Sequence, residues 1–128
     1  MAGERILIVE DNPLNAKLLR DVLSAKGYEV LCAETGEEGV EMARRDLPAL
    51  ILMDIQLPGM DGIAALRELK KTEATATIPV VAVTASAMPM ERREILNAGF
   101  DGYQSKPISV KDLVAEVQSI LAKPGEGA

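Results

Sequence analysis

The sequence predicts a doubly wound α/β fold, in which helices cover both faces of a parallel sheet of five strands. Three observations favour it. Short apolar runs alternate strictly with segments of helical periodicity along the chain. Most of these runs are apolar throughout, as expected of strands that are buried on both faces. Parallel strands need right-handed crossovers, and five strand–helix units are too few for an eight-fold barrel.

The first three units are the clearest. RILIVE (Arg5–Glu10) is predicted to be a buried strand, and a helix with leucines at helical spacing follows it. EVLCA (Glu29–Ala33) is the second strand, and Thr35 is predicted to cap the helix after it. ALILM (Ala49–Met53) is the third strand, and Asp61 is predicted to cap the third helix.

The last two units follow the same pattern. IPVVAVT (Ile78–Thr84) is the fourth strand, and a weaker helix is predicted over about Pro89–Ala98. GYQS (Gly102–Ser105) is a short fifth strand, and Ser109 is predicted to cap the last helix. Five strands and five helices are therefore expected.

Composition and charge restrict the class of protein. With 128 residues, the chain is predicted to form one domain over residues 1–128, with a core at about 5–121. A net charge of −6 without a basic cluster argues against nucleic-acid partners and against anionic membranes. No segment resembles a signal peptide or a membrane span, so no membrane insertion is expected. The single cysteine, Cys32, fits a reducing compartment, and a cytoplasmic location is expected.

The chain has no histidine. Ser-His-Asp and Cys-His catalysis and histidine metal sites are therefore excluded. Any chemistry must come from carboxylates, hydroxyls, lysine and a metal held by oxygen ligands.

Polar residues follow four of the predicted strands, at the sheet edge where sites form in this fold class. Glu10 ends the first predicted strand and Asp11 follows it, Asp54 follows the third, Thr84 ends the fourth, and Lys106 follows the fifth. If the first and third strands are central neighbours, three carboxylates, a hydroxyl and an ammonium group converge on one cleft.

Each of these residues also has an ordinary interpretation. Glu10, Asp11 and Asn12 precede a helix and could simply cap it, and Asp54 could be a turn aspartate. Thr84 is unremarkable in a strand, and Lys106 alone would be a surface lysine. Only their shared position at one sheet edge favours a functional site.

The predicted chemistry is phosphoryl transfer to a carboxylate. Clustered carboxylates repel one another and need a cation, and oxygen-only ligands suit Mg²⁺. We expect Asp11 and Asp54 to ligate Mg²⁺ directly and Glu10 to act mainly through water. Asp54 is the predicted nucleophile, which would form an aspartyl phosphate. Lys106 would supply positive charge and Thr84 a hydrogen-bond donor for the phosphoryl oxygens.

Four motifs carry a family resemblance. They are VEDN with Glu10–Asp11, LILMDIQLPGMDG with Asp54, VVAVTASAM with Thr84, and YQSKPI with Lys106. Over about Arg5–Leu121 the chain resembles the receiver domain of two-component response regulators. The resemblance implies a flavodoxin-like fold with its five strands in the order 2-1-3-4-5. It is most similar to the stand-alone, single-domain DivK-like or CheY-like type, and also to receivers attached to hybrid sensor kinases.

The resemblance implies further roles. The backbone carbonyl of Gln56 would be a metal ligand, Lys106–Pro107 would be a cis peptide, and Tyr103 would be a switch aromatic coupled to Thr84. The phosphoryl group would come from a phosphohistidine of a histidine kinase, of a histidine phosphotransfer protein, or of both. The chain would catalyse only its own phosphorylation and dephosphorylation. A monomer is expected, which signals to a downstream protein target through the fourth helix, fifth strand and fifth helix.

Three other functions stay open at this point. A flavodoxin-like electron carrier shares the topology, but the acidic EDNPLN loop after the first strand would repel a flavin phosphate. A phosphatase of the haloacid dehalogenase type needs a D-x-D motif, whereas Ile55 and Gln56 follow Asp54. A receiver-fold scaffold that is never phosphorylated would not need the full set of acidic, hydroxyl and lysine groups.

Overall fold

The computed structural model describes residues 3–57, 59–84, 89–105 and 108–122, with the backbone alone at 89–92. The strands are β1 (Arg5–Val9), β2 (Glu29–Ala33), β3 (Leu50–Asp54), β4 (Val80–Thr84) and β5 (Gly102–Ser105). The helices are α1 (Pro13–Ala25), α2 (Gly36–Asp46), α3 (Gly62–Lys71), α4 (Glu73–Ala76), α5 (Pro89–Asn97) and α6 (Val110–Ala122).

All five strands form one parallel sheet in the order β2-β1-β3-β4-β5, which confirms the predicted fold class and strand order. β1 and β3 are neighbours in the middle of the sheet, with Val9 paired to Met53. Their carboxyl ends therefore meet at the same edge, which is the arrangement that the convergence of acidic residues requires.

Helices pack on both faces of the sheet, and the sheet therefore separates the core into two clusters. The residues of the first cluster come from alternate strand positions such as Val9 and Ala82, and from α2, α3 and α5. The residues of the second cluster come from the intervening positions, such as Ile8 and Val83, and from α1 and α6. This division follows from the two-residue period of a strand, because neighbouring side chains point to opposite faces. Both faces are apolar, and the strands therefore read as continuous apolar runs.

The number of helices was predicted incorrectly. Five were expected, whereas the described part of the chain contains six, because the short α4 follows α3 directly. Thr75 of α4 is buried, and its hydroxyl donates to the carbonyl oxygen of Leu69 at 2.6 Å. A helix of four residues is too short to show an apolar period, and a hydrogen bond to α3 stabilises it instead.

The predicted helix caps are confirmed. Thr35 accepts a hydrogen bond from the backbone N–H of Glu38 at the start of α2, and Asp61 accepts one from Ala64 at the start of α3. The hydroxyl oxygen of Ser109 accepts from the N–H of Asp112 in α6. The helices therefore begin where side-chain acceptors satisfy their first N–H groups.

Three strand boundaries differ from the prediction. β1 ends at Val9, so Glu10 lies just beyond the strand rather than in it. β3 is shifted by one residue and includes Asp54, and β4 begins at Val80 rather than Ile78. Apolar character alone does not show where backbone pairing stops, because apolar residues next to a strand are also buried.

Candidate functional site

Three polar side chains are buried at the carboxyl end of the sheet. Glu10 and Asp54 are each 3% exposed, and Thr84 is 2% exposed. Glu10 continues β1, and its N–H donates to the carbonyl oxygen of Ala33 at 3.0 Å. Asp54 ends β3 and pairs with Val83, so Thr84 lies one residue further along the neighbouring strand. Burial of polar groups at one edge of a parallel sheet is typical of a functional cleft.

The acidic residues converge as the sequence predicts. Oxygen atoms from the carboxylates of Glu10, Asp11 and Asp54 all lie within 4.8 Å of one another. Asp11 is exposed, whereas the other two are buried. One cation can therefore contact all three residues while it stays accessible from solvent through Asp11.

Backbone N–H groups orient the two buried carboxylates. Oε2 of Glu10 accepts from the N–H of Asn12 at 3.1 Å, and Oδ1 of Asp54 accepts from the N–H of Gln56 at 3.0 Å. Hydrogen bonds from N–H groups to a carboxylate oxygen hold the carboxylate in one orientation. The turn that leaves each strand therefore sets the direction of the carboxylate at its end.

Asn12 is a helix cap. Its side-chain oxygen accepts from the N–H groups of Leu14 at 2.9 Å and Asn15 at 3.1 Å, at the start of α1. The capping interpretation is thus confirmed for Asn12. The adjacent carboxylates of Glu10 and Asp11 belong to the acidic cluster instead.

A hard divalent cation fits this donor set. Carboxylate oxygens are the ligands that Mg²⁺ and Ca²⁺ prefer, and the chain contains no histidine that could hold a softer metal. The side chain of Gln56 is exposed. A ligand role for its backbone carbonyl remains a prediction.

Thr84 and Tyr103 lie on the same face of the sheet. Thr84 is two residues after Ala82 on β4, and Ala82 is paired with Tyr103 on β5. The half-buried Tyr103 ring packs against the first core cluster, to which Ala82 belongs. Strand alternation puts the side chain of Thr84 on that face too. Movement of one side chain can therefore affect the packing of the other.

Other predicted residues lie outside the described part of the chain. Lys106 and the Lys106–Pro107 peptide are among them. The predicted roles of Lys106 and of the cis peptide therefore stay predictions.

The sequence-based prediction did not include two glycines beside the site. Gly36 and Gly62 are the first residues of α2 and α3. A β-carbon added to either would lie 2.6 Å from a backbone carbonyl oxygen, that of Met60 for Gly36 and that of Asp54 for Gly62. A signal for them exists in the sequence. Each glycine directly follows a predicted cap residue, Thr35 or Asp61, at the first position of a helix, where most residues with a side chain are also allowed. Such a glycine indicates close backbone packing.

The family is established by a comparison with known protein families. A family model described as the response regulator receiver domain matches residues 6–118. The chain belongs to this family, as the four motifs indicated. Receiver domains are signalling components of two-component systems, so the electron-carrier and phosphatase alternatives lose their support.

Curated proteins with a similar sequence show which type of response regulator the chain resembles. The chain is 46% identical over 116 residues to the polar-differentiation response regulator DivK of Brucella ovis, covering 91% of this chain and 94% of that protein. It is 45% identical over 116 residues to DivK of Brucella anthropi. The expected resemblance to DivK-like regulators is therefore confirmed.

Solved structures show the same fold. The receiver domain of a Pseudomonas aeruginosa sensor histidine kinase is 36% identical, with a TM-score of 0.88 over 95% of this chain and 100% of that chain. That structure has a magnesium ion coordinated in its active-site cleft. A CheY-like receiver domain protein of Methanospirillum hungatei is 31% identical, with a TM-score of 0.88 over 99% of this chain and 100% of that chain.

Within the residues that the structure describes, no helix is long and apolar enough to cross a bilayer.

Proposed function

We propose that residues 1–128 act as one receiver domain that accepts a phosphoryl group on Asp54. The donor would be a phosphohistidine of a sensor histidine kinase or of a histidine phosphotransfer protein. The observation that carries the proposal is the convergence of Glu10, Asp11 and Asp54, with oxygen atoms within 4.8 Å of one another. Similarity to DivK over 94% of that regulator's length supports it.

Mg²⁺ is the proposed metal. Asp11, Asp54 and the backbone carbonyl of Gln56 would hold it, and Glu10 would act mainly through water. The Pseudomonas aeruginosa receiver domain, with magnesium in its active-site cleft, supports this choice. When bound, the metal neutralises negative charge on the transferring phosphoryl group.

The protein's own residues account for the transfer. A carboxylate oxygen of Asp54 attacks phosphorus in line with the P–N bond of the donor. That bond breaks, its electron pair returns to the imidazole nitrogen, and the nitrogen takes up a proton from solvent. Lys106 neutralises charge on the phosphoryl oxygens, and the Thr84 hydroxyl donates a hydrogen bond to one of them. Later attack of water on phosphorus restores the carboxylate and releases inorganic phosphate.

The donor protein would dock on α1, close to Asp11. Leu14 and Leu18 are one helical turn apart on this helix and are 77% and 40% exposed. Exposed leucines next to a polar cleft are typical of a contact surface for a protein partner. An apolar helix face on the donor would pack on these leucines and bring its phosphohistidine towards Asp54.

The output would be a protein-binding surface formed by α5, β5 and α6. Phosphorylation would draw Thr84 towards the phosphoryl oxygens and allow Tyr103 to turn inward. A phosphoryl group shifts such an equilibrium only through its differential contacts with the two states. The net charge of −6 supports a protein rather than a nucleic acid as the target. We propose that the domain acts as a monomer in the cytoplasm.

Acetyl phosphate with Mg²⁺, followed by intact mass measurement, tests the proposal. One phosphoryl group should be added, and a chelator should prevent the addition. A protein that instead releases phosphate continuously from phosphomonoesters would be a phosphatase. A protein that gains no phosphoryl group, from acetyl phosphate or from a phosphorylated kinase, would be a scaffold of the receiver fold.

A further inference from the structure

We propose that Gly36 and Gly62 are positioning residues for phosphorylation, because together they fix the backbone that carries Asp54. Gly62 begins α3 and Gly36 begins α2. The two glycines contact opposite ends of the segment between β3 and α3, which follows Asp54 directly. The inference rests on the proposed function of Asp54 and concerns the control of its position.

Gly62 packs against the backbone of Asp54 itself. A β-carbon added to Gly62 would lie 2.6 Å from the carbonyl oxygen of Asp54 and 2.8 Å from Cα of Ile55. Both are backbone atoms, so they cannot give way by a change of rotamer. The N–H of Gly62 also donates to the carbonyl oxygen of Ile55 at 2.9 Å. The first turn of α3 is therefore as close to β3 as the backbone allows.

Gly36 supports the far end of the same segment. A β-carbon added there would lie 2.6 Å from the carbonyl oxygen of Met60, and 3.3 Å from Cβ and Cγ of the Met60 side chain. The N-terminus of α2 thus holds the segment near its junction with α3. Contact with one backbone atom, rather than several, makes Gly36 the less critical glycine of the two.

Displacement of this backbone would move the reacting group. The orientation of the Asp54 carboxylate depends on the N–H of Gln56, only two residues away. The N–H of Ile55 donates to the carbonyl oxygen of Val83 at 3.1 Å, which ties the same segment to β4. A side chain at position 62 must push Asp54 and Ile55 away from α3. Small errors in the position of a reacting group can cost about a hundredfold in rate.

Gly62→Ala is the main test variant, and phosphorylation by acetyl phosphate with Mg²⁺ is the first readout. We expect the rate constant to fall about tenfold or more, because the attacking oxygen is displaced. Gly36→Ala should give a smaller loss. The second readout needs no metal. In the metal-free protein, the NMR amide signals of Ile55 and Gln56 should shift in Gly62→Ala.

Val117→Ala is the control for a general loss of stability. Val117 is fully buried in the second core cluster, on the opposite face of the sheet from α2 and α3. The Val117→Ala substitution should lower the melting temperature. It should leave the phosphorylation rate and the amide signals of Ile55 and Gln56 as they are in the wild type. Comparison at a temperature where every variant is folded separates a positioning effect from unfolding.

The proposal is overturned if folded Gly62→Ala keeps the wild-type rate and amide signals, or if Val117→Ala loses as much rate. If Gly62→Ala does not fold, Gly36→Ala decides by the same criteria. If neither glycine variant folds while Val117→Ala does, the glycines are structural and the positioning role is wrong. A wild-type protein that is not phosphorylated contradicts the proposed function instead, and the amide signals then decide whether the glycines position Asp54.

Discussion

The backbone N–H of Gln56 donates a hydrogen bond to Oδ1 of Asp54 at 3.0 Å. Glu10 at the end of β1 has the same relationship with Asn12, so both buried carboxylates are oriented by the second residue after them. The position of the acidic cluster therefore depends on two turns, one after each central strand. This dependence makes the cluster sensitive to changes in side chains and in backbone packing.

Removal of the exposed carboxylate should weaken metal binding. Asp11→Ala is expected to lower Mg²⁺ affinity by at least about tenfold, because a direct oxygen ligand is lost. Glu10→Gln should have a smaller effect, since Glu10 acts mainly through water. Isothermal titration calorimetry measures both affinities.

Glu41→Gln is the matched control for this experiment. Glu41 is an exposed residue of α2 outside the acidic cluster, and its substitution removes the same amount of charge. Equal losses of affinity in Asp11→Ala and Glu41→Gln would mean that only net charge matters, which would contradict a ligand role for Asp11.

Binding of a phosphoryl mimic should change the surroundings of Tyr103. Beryllofluoride with Mg²⁺ is expected to shift the NMR signals of the Tyr103 ring, because Thr84 and Tyr103 share one face of the sheet. Thr84→Ala should bind the mimic but lose this shift. Tyr28 is partly buried and packs against the second core cluster, on the opposite face of the sheet, so its signals provide an internal control. A fully bound mimic that leaves Tyr103 unchanged would contradict the proposed switch.

Cys32 should be a slow nucleophile near neutral pH. Burial raises the pKa of its thiol, and the positive charge of Arg20 lowers the pKa by a smaller amount. The thiolate is the reactive form, so a raised pKa leaves less of it at a given pH. Iodoacetamide should therefore modify Cys32 more slowly at pH 8 than it modifies an unstructured cysteine peptide, and the rate should rise at higher pH.

Arg20→Ala tests the opposing effect of the arginine on the pKa of Cys32. Loss of the positive charge should raise the pKa further and slow the modification. The chain contains one cysteine, so the mass increase reports on Cys32 alone. A rate equal to that of the free peptide at every pH would show that burial does not control the thiol.

The sequence predicts the sheet and the acidic cluster well, for physical reasons that apply to each. Strands buried on both faces are apolar throughout, and strand order determines that Glu10 and Asp54 meet once β1 and β3 are neighbours. Caps such as Thr35 and Asp61 are visible because their side chains make local hydrogen bonds. The short α4 has no such periodic signal, and its stability depends on a tertiary hydrogen bond of Thr75.

The sequence marks the positions of close backbone packing by a glycine after each predicted cap, but it does not show which backbone atoms are contacted. Gly62 contacts Asp54 through the space that a β-carbon would fill, and this contact depends on the three-dimensional approach of α3 to β3. The hydrogen bond from Gln56 to Asp54 is likewise a property of the turn, because any residue except proline at position 56 supplies the same N–H. Orientation of the acidic cluster therefore has to be read from the structure.

The central claim is that Asp54 accepts the phosphoryl group, and comparison of Asp54→Asn with Asp21→Asn tests it most directly. Asparagine keeps the side-chain oxygen that accepts from Gln56, so the fold should survive, whereas Asp21 is an exposed residue of α1 paired with Lys17. After incubation with acetyl phosphate and Mg²⁺, intact mass should show one hydroxylamine-labile phosphoryl group on the wild type and on Asp21→Asn, and none on Asp54→Asn. An equal and equally labile adduct on folded Asp54→Asn would contradict the claim.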